Sequence, residues 1–133
     1  MSLAVVDASV LVAFYVVDDP RRQRAVTRLS DGDTMFAPAH LDAEVVSALR
    51  RLSTGNSVLR AAVPRALDHL ARFPIQRLPI APMLARMWEL RDNITPYDAA
   101  YVALAENLSC DLITCDAKLA GATGARCGFD LIT

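Results

Sequence analysis

The sequence predicts an α/β fold in which helices cover both faces of a central parallel sheet of about five short strands. Short apolar or β-branched runs alternate with helical patterns along the 133 residues, and this alternation is typical of βαβ units. The first run, Leu3–Val6, is apolar throughout, as expected of a central strand that is buried on both faces. Together these observations predict a three-layer α/β/α sandwich whose crossovers bring the carboxyl ends of the strands to one rim.

The elements of the first half follow from periodicity and turn residues. Residues 8–15 have the pattern of a helix packed on the sheet, and a second helix begins near Asp18-Asp19-Pro20. Its basic residues form a face that is most simply solvated; they are Arg21, Arg22, Arg24 and Arg28. A turn at 31–33 then leads into a short strand over 34–37, which Pro38 ends.

The middle of the chain is predicted to be mainly helical. Apolar residues recur at helical spacing from His40 to Leu52, and the pattern resumes from Ser57 to Phe73 after a polar break. Pro64 lies inside the second pattern, and because proline removes a backbone hydrogen bond we expect two helical pieces there. A strand over 75–80 and a helix over 82–90 follow.

The segment from Thr95 onward organises the rest of the fold. Thr95 is a good N-cap and Pro96 suits the first helical position, so a helix begins here. Residues 97–108 are apolar on almost every side, which predicts a buried helix. Three more elements follow: a strand over 111–114, a helix over 117–119 and an edge strand over 129–132.

The bulk composition indicates one ordinary globular unit. A chain of 133 residues can bury about two thirds of its unfolded surface, so we expect a single domain over residues 1–133. The net charge of −1 gives no overall signal for nucleic acid or membrane. No apolar stretch reaches the ~20 residues of a membrane helix and no leader pattern is evident. We therefore expect a cytoplasmic protein whose nucleic-acid contacts, if any, are local.

Basic residues and cysteines restrict the chemistry further. Thirteen of the 14 basic residues are Arg, and Lys118 is the only lysine; genomic base composition is the simpler explanation, although Arg also suits bidentate phosphate contacts. The 3 cysteines lack a C-x-x-C spacing and are expected to be reduced core thiols. The two histidines, His40 and His69, have no Cys or His neighbour at metal-ligand spacing, so we expect both to be structural or to face solvent.

Four acidic residues lie where the predicted fold brings distant segments together. Asp7 and Asp116 each follow a predicted strand, and Asp98 lies in the first turn of the buried helix. Glu44 lies at the border of the apolar stripe of its helix, so it faces either solvent or a cleft. Each aspartate also has a structural alternative, as a helix cap, a turn former or a capping-box acid. The carboxyl ends of parallel strands are nevertheless where α/β proteins bind ligands.

Convergence of these acids would carry a large electrostatic cost. Two unit charges ~5 Å apart repel by about 3 kcal/mol at an effective dielectric of ~20, so six pairs cost on the order of 20 kcal/mol. That exceeds the stability of a typical domain, about 5–15 kcal/mol. Such a cluster must take up protons or hold a cation, and oxygen-only ligands suit Mg²⁺ or Mn²⁺.

Four segments of the chain carry a resemblance to a known family: VVDASVLVAF, the helix that carries Glu44 after PAH, LRDNITPYDAAYVALAENL, and LITCDAKLA. They resemble PIN domains and, within that family, VapC-type toxins of bacterial toxin–antitoxin pairs. The resemblance implies that Asp7, Glu44, Asp98 and Asp116 bind one or two divalent ions, Mg²⁺ or Mn²⁺, with Ser9 and Thr114 as supporting hydroxyls.

The same resemblance implies an activity and partners. It suggests a metal-dependent endoribonuclease that hydrolyses RNA, forms homodimers and is silenced by a cognate antitoxin. Arg91 and Lys118 are the basic residues nearest in sequence to the acids, and we expect them to guide the RNA backbone.

Three alternatives remain open at this point. A phosphoacceptor receiver domain has this length and layer order, but it requires adjacent acids after its first strand, where Asp7 is single. A haloacid-dehalogenase-type phosphatase requires an acid two residues after its nucleophile, and position 9 is Ser. A PIN fold that has lost catalysis and serves only as a binding module is the third. No Ser-His-Asp arrangement, glycine-rich phosphate loop or thiolate nucleophile competes with the acids.

Overall fold

Five parallel strands form one sheet in the computed structural model, which describes residues 2–133. The strands are β1 (Leu3–Val6), β2 (Thr34–Pro38), β3 (Ile75–Leu78), β4 (Asp111–Thr114) and β5 (Phe129–Leu131). Their order across the sheet is β3-β2-β1-β4-β5, and each neighbouring pair is parallel. The predicted fold class is confirmed, and so is the position of the last strand at an edge.

Seven α-helices within the described residues connect the strands. They are α1 (Ala8–Tyr15), α2 (Arg22–Leu29), α3 (Leu41–Ser53), α4 (Ser57–Arg72), α5 (Leu84–Glu89), α6 (Pro96–Leu108) and α7 (Ala117–Ala120). Helix α1 packs against α2 and α3, whereas α5 packs against α6. Connections between parallel strands are right-handed in nearly all proteins, which puts the helices that follow β1 and β2 on one face of the sheet and those that follow β3 on the other.

The direction of winding reverses between β1 and β4. The chain runs outward from β1 through β2 to β3, then crosses back to add β4 and β5 on the other side of β1. Strands β1 and β4 pair directly, with Val6 opposite Ile113, and the Asp7 N–H extends the ladder by donating to the Ile113 carbonyl at 2.9 Å. In open α/β sheets such a reversal opens a crevice at the carboxyl ends, where ligands bind.

The core lies on both faces of β1 and around α6. Ala4, Val5 and Val6 of β1 are fully buried, as the continuous apolar run predicts. In α6 every residue from 99 to 105 is buried, so the expected buried helix is confirmed. Each large aliphatic side chain buried here stabilises the fold by about 1.5–3 kcal/mol, which fixes the ends of β1 and α6 relative to each other.

Helix α4 corrects the expectation of two helical pieces. It is continuous from Ser57 to Arg72 with Pro64 inside it. Proline costs the helix the bond that residue 64 would donate to the carbonyl of Arg60. Both residues are exposed, so water can satisfy that carbonyl and the helix continues.

Smaller differences concern where elements begin and end. Strand β3 ends at Leu78, two residues before the expected end. The helix expected over 82–90 starts as a 3₁₀ turn, Ala81–Met83, before α5. Helix α2 begins at Arg22, later than the Asp18-Asp19-Pro20 signal, because Pro20 and Arg21 form a turn that the Arg22 N–H closes by donating to the Asp19 carbonyl at 3.0 Å.

The arginines of α2 and its N-terminal turn do not form a merely solvated face. They bind within the protein as follows: Arg21 to Asp19 at 2.9 Å, Arg22 to the Phe14 carbonyl at 3.1 Å, Arg24 to the Thr133 carbonyl at 2.7 Å, and Arg28 to Asp130 at 2.6 Å. These contacts tie α2 to α1 and to the C-terminal segment.

The three cysteines lie where the sequence predicts, against the core. Cys110, Cys115 and Cys127 are free and half-buried, and they pack against the core. No helix within residues 2–133 is both long and apolar enough to cross a bilayer.

Candidate active site

Asp7 is a buried carboxylate at the corner between β1 and α1. Only 6% of the residue is exposed. It occupies the N-cap position of α1 but makes no side-chain capping bond. Its Oδ2 atom instead accepts hydrogen bonds from the Ser9 hydroxyl at 2.7 Å and the Thr114 hydroxyl at 2.8 Å. Burial raises the pKa of Asp7, and the two hydroxyls oppose that rise.

The turn after β4 carries Asp116, and its backbone N–H groups bind the hydroxyls of Ser9 and Thr114. The Asp116 N–H donates to the Thr114 hydroxyl at 3.0 Å, and the Cys115 N–H donates to the Ser9 hydroxyl at 2.9 Å. Each hydroxyl therefore accepts from the backbone after β4 while it donates to Asp7. This arrangement fixes Asp7 relative to the end of β4.

Asp116 caps α7 and also faces the rim. Its Oδ1 accepts from the backbone N–H groups of Lys118 and Leu119, at 2.9 and 3.3 Å, so the capping alternative is correct for this residue. Asp116 is nevertheless exposed and lines the same cleft as Asp7. The cap therefore holds the carboxylate in place without removing it from the site.

Asp98 enters from α6, where Thr95 caps the helix as predicted. The Thr95 hydroxyl accepts from the Asp98 N–H at 3.2 Å. Burial, together with repulsion from Asp7, Asp116 and Glu44, raises the pKa of Asp98 to about 6. The structure thus brings Asp98 into the electrostatic range of all three other acids.

Glu44 reaches the rim from α3, on the opposite helical layer. Its Oε1 accepts from the Tyr101 hydroxyl at 2.7 Å and lies 3.3 Å from Nε2 of His40. Burial raises the pKa of Glu44, while Tyr101 and His40 counteract the rise. Since Nε2 of His40 also lies 3.1 Å from the Tyr97 carbonyl, and both neighbours are acceptors, Nε2 carries the proton.

His40 and Tyr101 are the residues that sequence reasoning missed. The sequence predicts only a structural or solvent-facing role for His40, and for Tyr101 only a place in the buried helix. A signal for each is present, because His40 lies four residues before Glu44 and Tyr101 three residues after Asp98, which puts each pair on one helix face. What the spacing does not give is that Tyr101 crosses from α6 to a glutamate on α3.

Two clefts meet at these acids. One has a volume of about 520 Å³ and is lined by Asp7, Ser9 and Glu44 among others. The other has a volume of about 440 Å³ and is lined by residues 91–96, Lys118 and Leu119. Asp98 and Asp116 line both clefts.

The four acids are neighbours, but their carboxylates are spaced more widely than the ligands of a bound ion. Within residues 2–133, no three Asp, Glu, His or Cys side chains are close enough to ligate one ion as they stand. No arginine or lysine forms an ion pair with these four acids in the same part of the chain. Their donor atoms are all oxygen, the set that Mg²⁺ and Mn²⁺ prefer, so a divalent cation fits this uncompensated charge.

The fold and the site define a class of protein: parallel three-layer α/β domains that present carboxylates from four separated segments at the switch point of the sheet. The sequence model of the PIN domain matches residues 4–124. The chain belongs to the PIN domain family. The receiver and phosphatase alternatives are therefore wrong.

Known proteins of this family resemble the chain along most of its length. A VapC ribonuclease of Mycobacterium bovis is 36% identical over 130 residues, covering 98% of each chain. VapC20 of Mycobacterium tuberculosis, a toxin that cleaves the sarcin–ricin loop, superposes with a TM-score of 0.69 at 21% identity, over 90% of this chain and 96% of the other. VapBC2 of Rickettsia felis, bound to promoter DNA, superposes with a TM-score of 0.66 at 12% identity, over 98% of this chain and 99% of the other. The two structures support the fold.

Proposed function

We propose that this protein is a metal-dependent endoribonuclease and the toxin of a toxin–antitoxin pair. The observation that carries the proposal is the convergence of Asp7, Glu44, Asp98 and Asp116 at the switch point of the sheet, with raised pKa values for the first three. The similarity to a VapC ribonuclease over nearly the whole chain supports the same activity. No protein nucleophile is needed, because hydrolysis uses water.

The four acids would hold Mg²⁺ or Mn²⁺, one ion or two. A divalent ion bound there lowers the pKa of water and neutralises charge that develops on the phosphate. Side-chain rotation of Asp98 and Asp116, which are not fully buried, would tighten the ligand set. Asp7 needs no such movement, because hydroxyls already orient it.

The neighbouring side chains would orient the acids. Ser9 and Thr114 favour the ionised form of Asp7 by donating hydrogen bonds, which oppose the rise in pKa that burial causes, and Tyr101 does the same for Glu44. Hydroxyl donors stabilise a carboxylate without cancelling its charge, so the acids keep their attraction for a cation. His40 fixes the other side of Glu44.

The similar proteins also support a proposal about the biological setting. The similarity to a VapBC2 structure supports a cognate antitoxin for this chain. We further propose that the protein acts on RNA in the cytoplasm, as a homodimer and a single domain.

RNA cleavage by the purified protein tests this proposal. We expect cleavage with Mg²⁺ or Mn²⁺ that EDTA abolishes and that Asp98→Asn reduces by more than about 100-fold. Asp68→Asn on α4 is the matched control, since it removes an exposed carboxylate whose ion pair with Arg72 contributes little to stability. Induction without a partner should arrest growth for the wild type and the control, but not for Asp98→Asn.

Two results would contradict it. Cleavage that survives EDTA would reject the metal site. A folded protein that cleaves no RNA with either metal, yet still binds a partner, would instead support the binding-module alternative.

A further inference from the structure

The two clefts at the acidic rim form one trough. Asp98 and Asp116 line both of them, so the carboxylates lie between a cleft beside α3 and a cleft beside the loop that precedes α6. We call this continuous surface the rim trough. Its middle is acidic, and the basic residues that line it lie on either side of the acids.

Arg51 is the available cation on the α3 side. It lies seven residues, or two helical turns, after Glu44 and lines the same cleft. Arg21 lines that cleft too, but Asp19 binds it through two hydrogen bonds at 3.0 and 2.9 Å. Arg51 is exposed and has no ion pair within the described chain.

Arg91 and Lys118 are the cations on the other side. The Arg91 guanidinium lies 4.4 Å from the centroid of the Trp88 ring and donates to the Trp88 carbonyl at 2.9 Å. This stacking orients the charge and does not neutralise it. Lys118 lines the same cleft, is exposed, and lies two residues from Asp116. Asp92 also lines this cleft. If the shared acids Asp98 and Asp116 are set aside, the charged lining of the cleft is therefore net positive.

Asp7 is only 6% exposed, which restricts the shape of what can reach it. A phosphate must enter the cleft to approach this carboxylate. An extended single strand can place one phosphate deep and keep its neighbours at the rim, because its backbone bends freely. A duplex is stiffer and holds its phosphates on a convex surface.

We propose that the rim trough binds one extended RNA strand, with Arg51 contacting the backbone on one side of the scissile phosphate and Arg91 and Lys118 contacting it on the other. The inference rests on the proposed endoribonuclease function and specifies how its substrate lies. Cations at both ends supply the attraction that the acidic middle lacks. Contacts on both sides of the acids also suit cleavage inside a strand, where RNA continues in both directions.

Substitution of the trough cations tests the path. Arg51→Gln and Lys118→Gln are each compared with Arg50→Gln, since Arg50 precedes Arg51 on α3, is also exposed and does not line either cleft. We expect each trough variant to raise KM roughly three- to tenfold with kcat nearly unchanged. Arg50→Gln should match the wild type.

Binding provides a readout that does not depend on cleavage. All variants are placed in the Asp98→Asn background and titrated with a fluorescent single-stranded RNA across salt concentrations. Each lost phosphate contact should reduce the slope of log K against log salt by about 0.7. Arg50→Gln should leave the slope unchanged, and a duplex of the same sequence should bind more weakly than the single strand.

The outcomes separate the path from the nuclease proposal. If the wild type cleaves RNA but both trough variants behave like Arg50→Gln, the path is wrong and the nuclease stands. If no RNA is cleaved but the trough variants lose binding and salt slope, the path stands and the nuclease proposal fails. Equal affinity for duplex and single strand would overturn the single-strand assignment. Circular dichroism of each variant verifies that it is folded.

Discussion

The acids of this protein fall into two groups that differ in their partners. Glu106 is bound by Arg86 at 2.8 Å, and Asp19 by Arg21 at 2.9 Å. Burial alone would raise the pKa of Glu106, but its contacts with Arg86 outweigh that effect. The pKa values of Glu106 and Asp19 are therefore both lowered. The rim acids form no ion pair with arginine or lysine within residues 2–133, and for Asp7, Glu44 and Asp98 the pKa is raised. The chain therefore compensates acids elsewhere and leaves the rim with unbalanced negative charge.

The Thr114 hydroxyl should limit the rise in the pKa of Asp7. This hydroxyl is buried and donates to Asp7 at 2.8 Å. Thr114→Val keeps the shape but removes that donor, so the pKa of Asp7 should rise further and metal affinity should fall. We expect a loss of about 10- to 100-fold in RNA cleavage, as is common for residues that orient metal ligands.

A metal titration of the activity measures this loss. The expected loss of activity comes from protonation of Asp7. Higher pH and higher metal concentration should therefore restore part of the activity in Thr114→Val. Thr27→Val is the control, since the Thr27 hydroxyl donates to the Gln23 carbonyl within α2 and lies outside the site. Unchanged metal affinity in Thr114→Val would show that the hydroxyl does not support the site.

At the scale of elements, two helices from opposite faces of the sheet meet over the end of β1. The Tyr101 hydroxyl on α6 binds Glu44 on α3 at 2.7 Å, and His40, just before α3, binds the Tyr97 carbonyl on α6 at 3.1 Å. These two contacts join the helical layers above the strands. The rim is therefore closed on one side by a polar link between helices.

Helix α4 supports a prediction about stability. Pro64 lies in the interior of a continuous, exposed stretch of this helix, where proline is about 3 kcal/mol less favourable than alanine. Part of this difference is offset because proline also restricts the unfolded chain. Pro64→Ala should therefore raise the free energy of unfolding by about 1–2 kcal/mol.

Urea denaturation measures that change, with Arg65→Ala as the control. Arg65 is the next residue in α4, is exposed, and should tolerate alanine with a change within about 0.5 kcal/mol. If Pro64→Ala is no more stable than the wild type, Pro64 does not destabilise α4, and the prediction is wrong.

The sequence predicted elements better than it predicted contacts between them. Thr95, Pro96 and the apolar run after them identify α6 because capping and periodicity are local properties. Pro64 misled the prediction because the solvation of one carbonyl depends on exposure, which is a tertiary property. The partners of Glu44 were missed for the same reason: spacing shows which residues share a helix face, but not which helix lies opposite. The roles of the four acids remain a prediction, although the structure places all four at the rim.

For the whole molecule, the rim acids make the metal-free protein less stable at neutral pH. The pKa of Asp98 is raised to about 6 from an ordinary 3.8, so the folded chain binds this proton more tightly than the unfolded chain. Stability is therefore gained as the pH falls through 6 toward 4 and is lost as the pH rises above 6. The lowered pKa values of Asp19 and Glu106 have the opposite effect, but only in the more acidic range where those acids take up protons.

In EDTA we therefore expect the free energy of unfolding to be about 1 kcal/mol larger at pH 5 than at pH 7, after a reduction for the solvent screening of this half-buried carboxyl. Asp98→Asn removes the titrating group, so it should be more stable than the wild type at pH 7 and should show a smaller pH dependence. Asp68→Asn should follow the wild type. Urea denaturation at the two pH values measures both effects, and an Asp98→Asn variant less stable than the wild type at pH 7 would contradict the repulsion.

Divalent metal should reverse this pH preference. An ion that binds only the folded chain stabilises it by RT ln(1 + [L]/Kd), about 2.7 kcal/mol when the metal is at 100 times Kd. Protons compete for the same carboxylates, so the gain should be large at pH 7 and small at pH 5. The wild type should then be more stable at pH 7 with Mg²⁺ or Mn²⁺ and more stable at pH 5 with EDTA, as measured by thermal denaturation. Asp98→Asn should lose most of the metal-dependent gain and Asp68→Asn should retain it; an equal gain in both variants would place the ion elsewhere on the molecule.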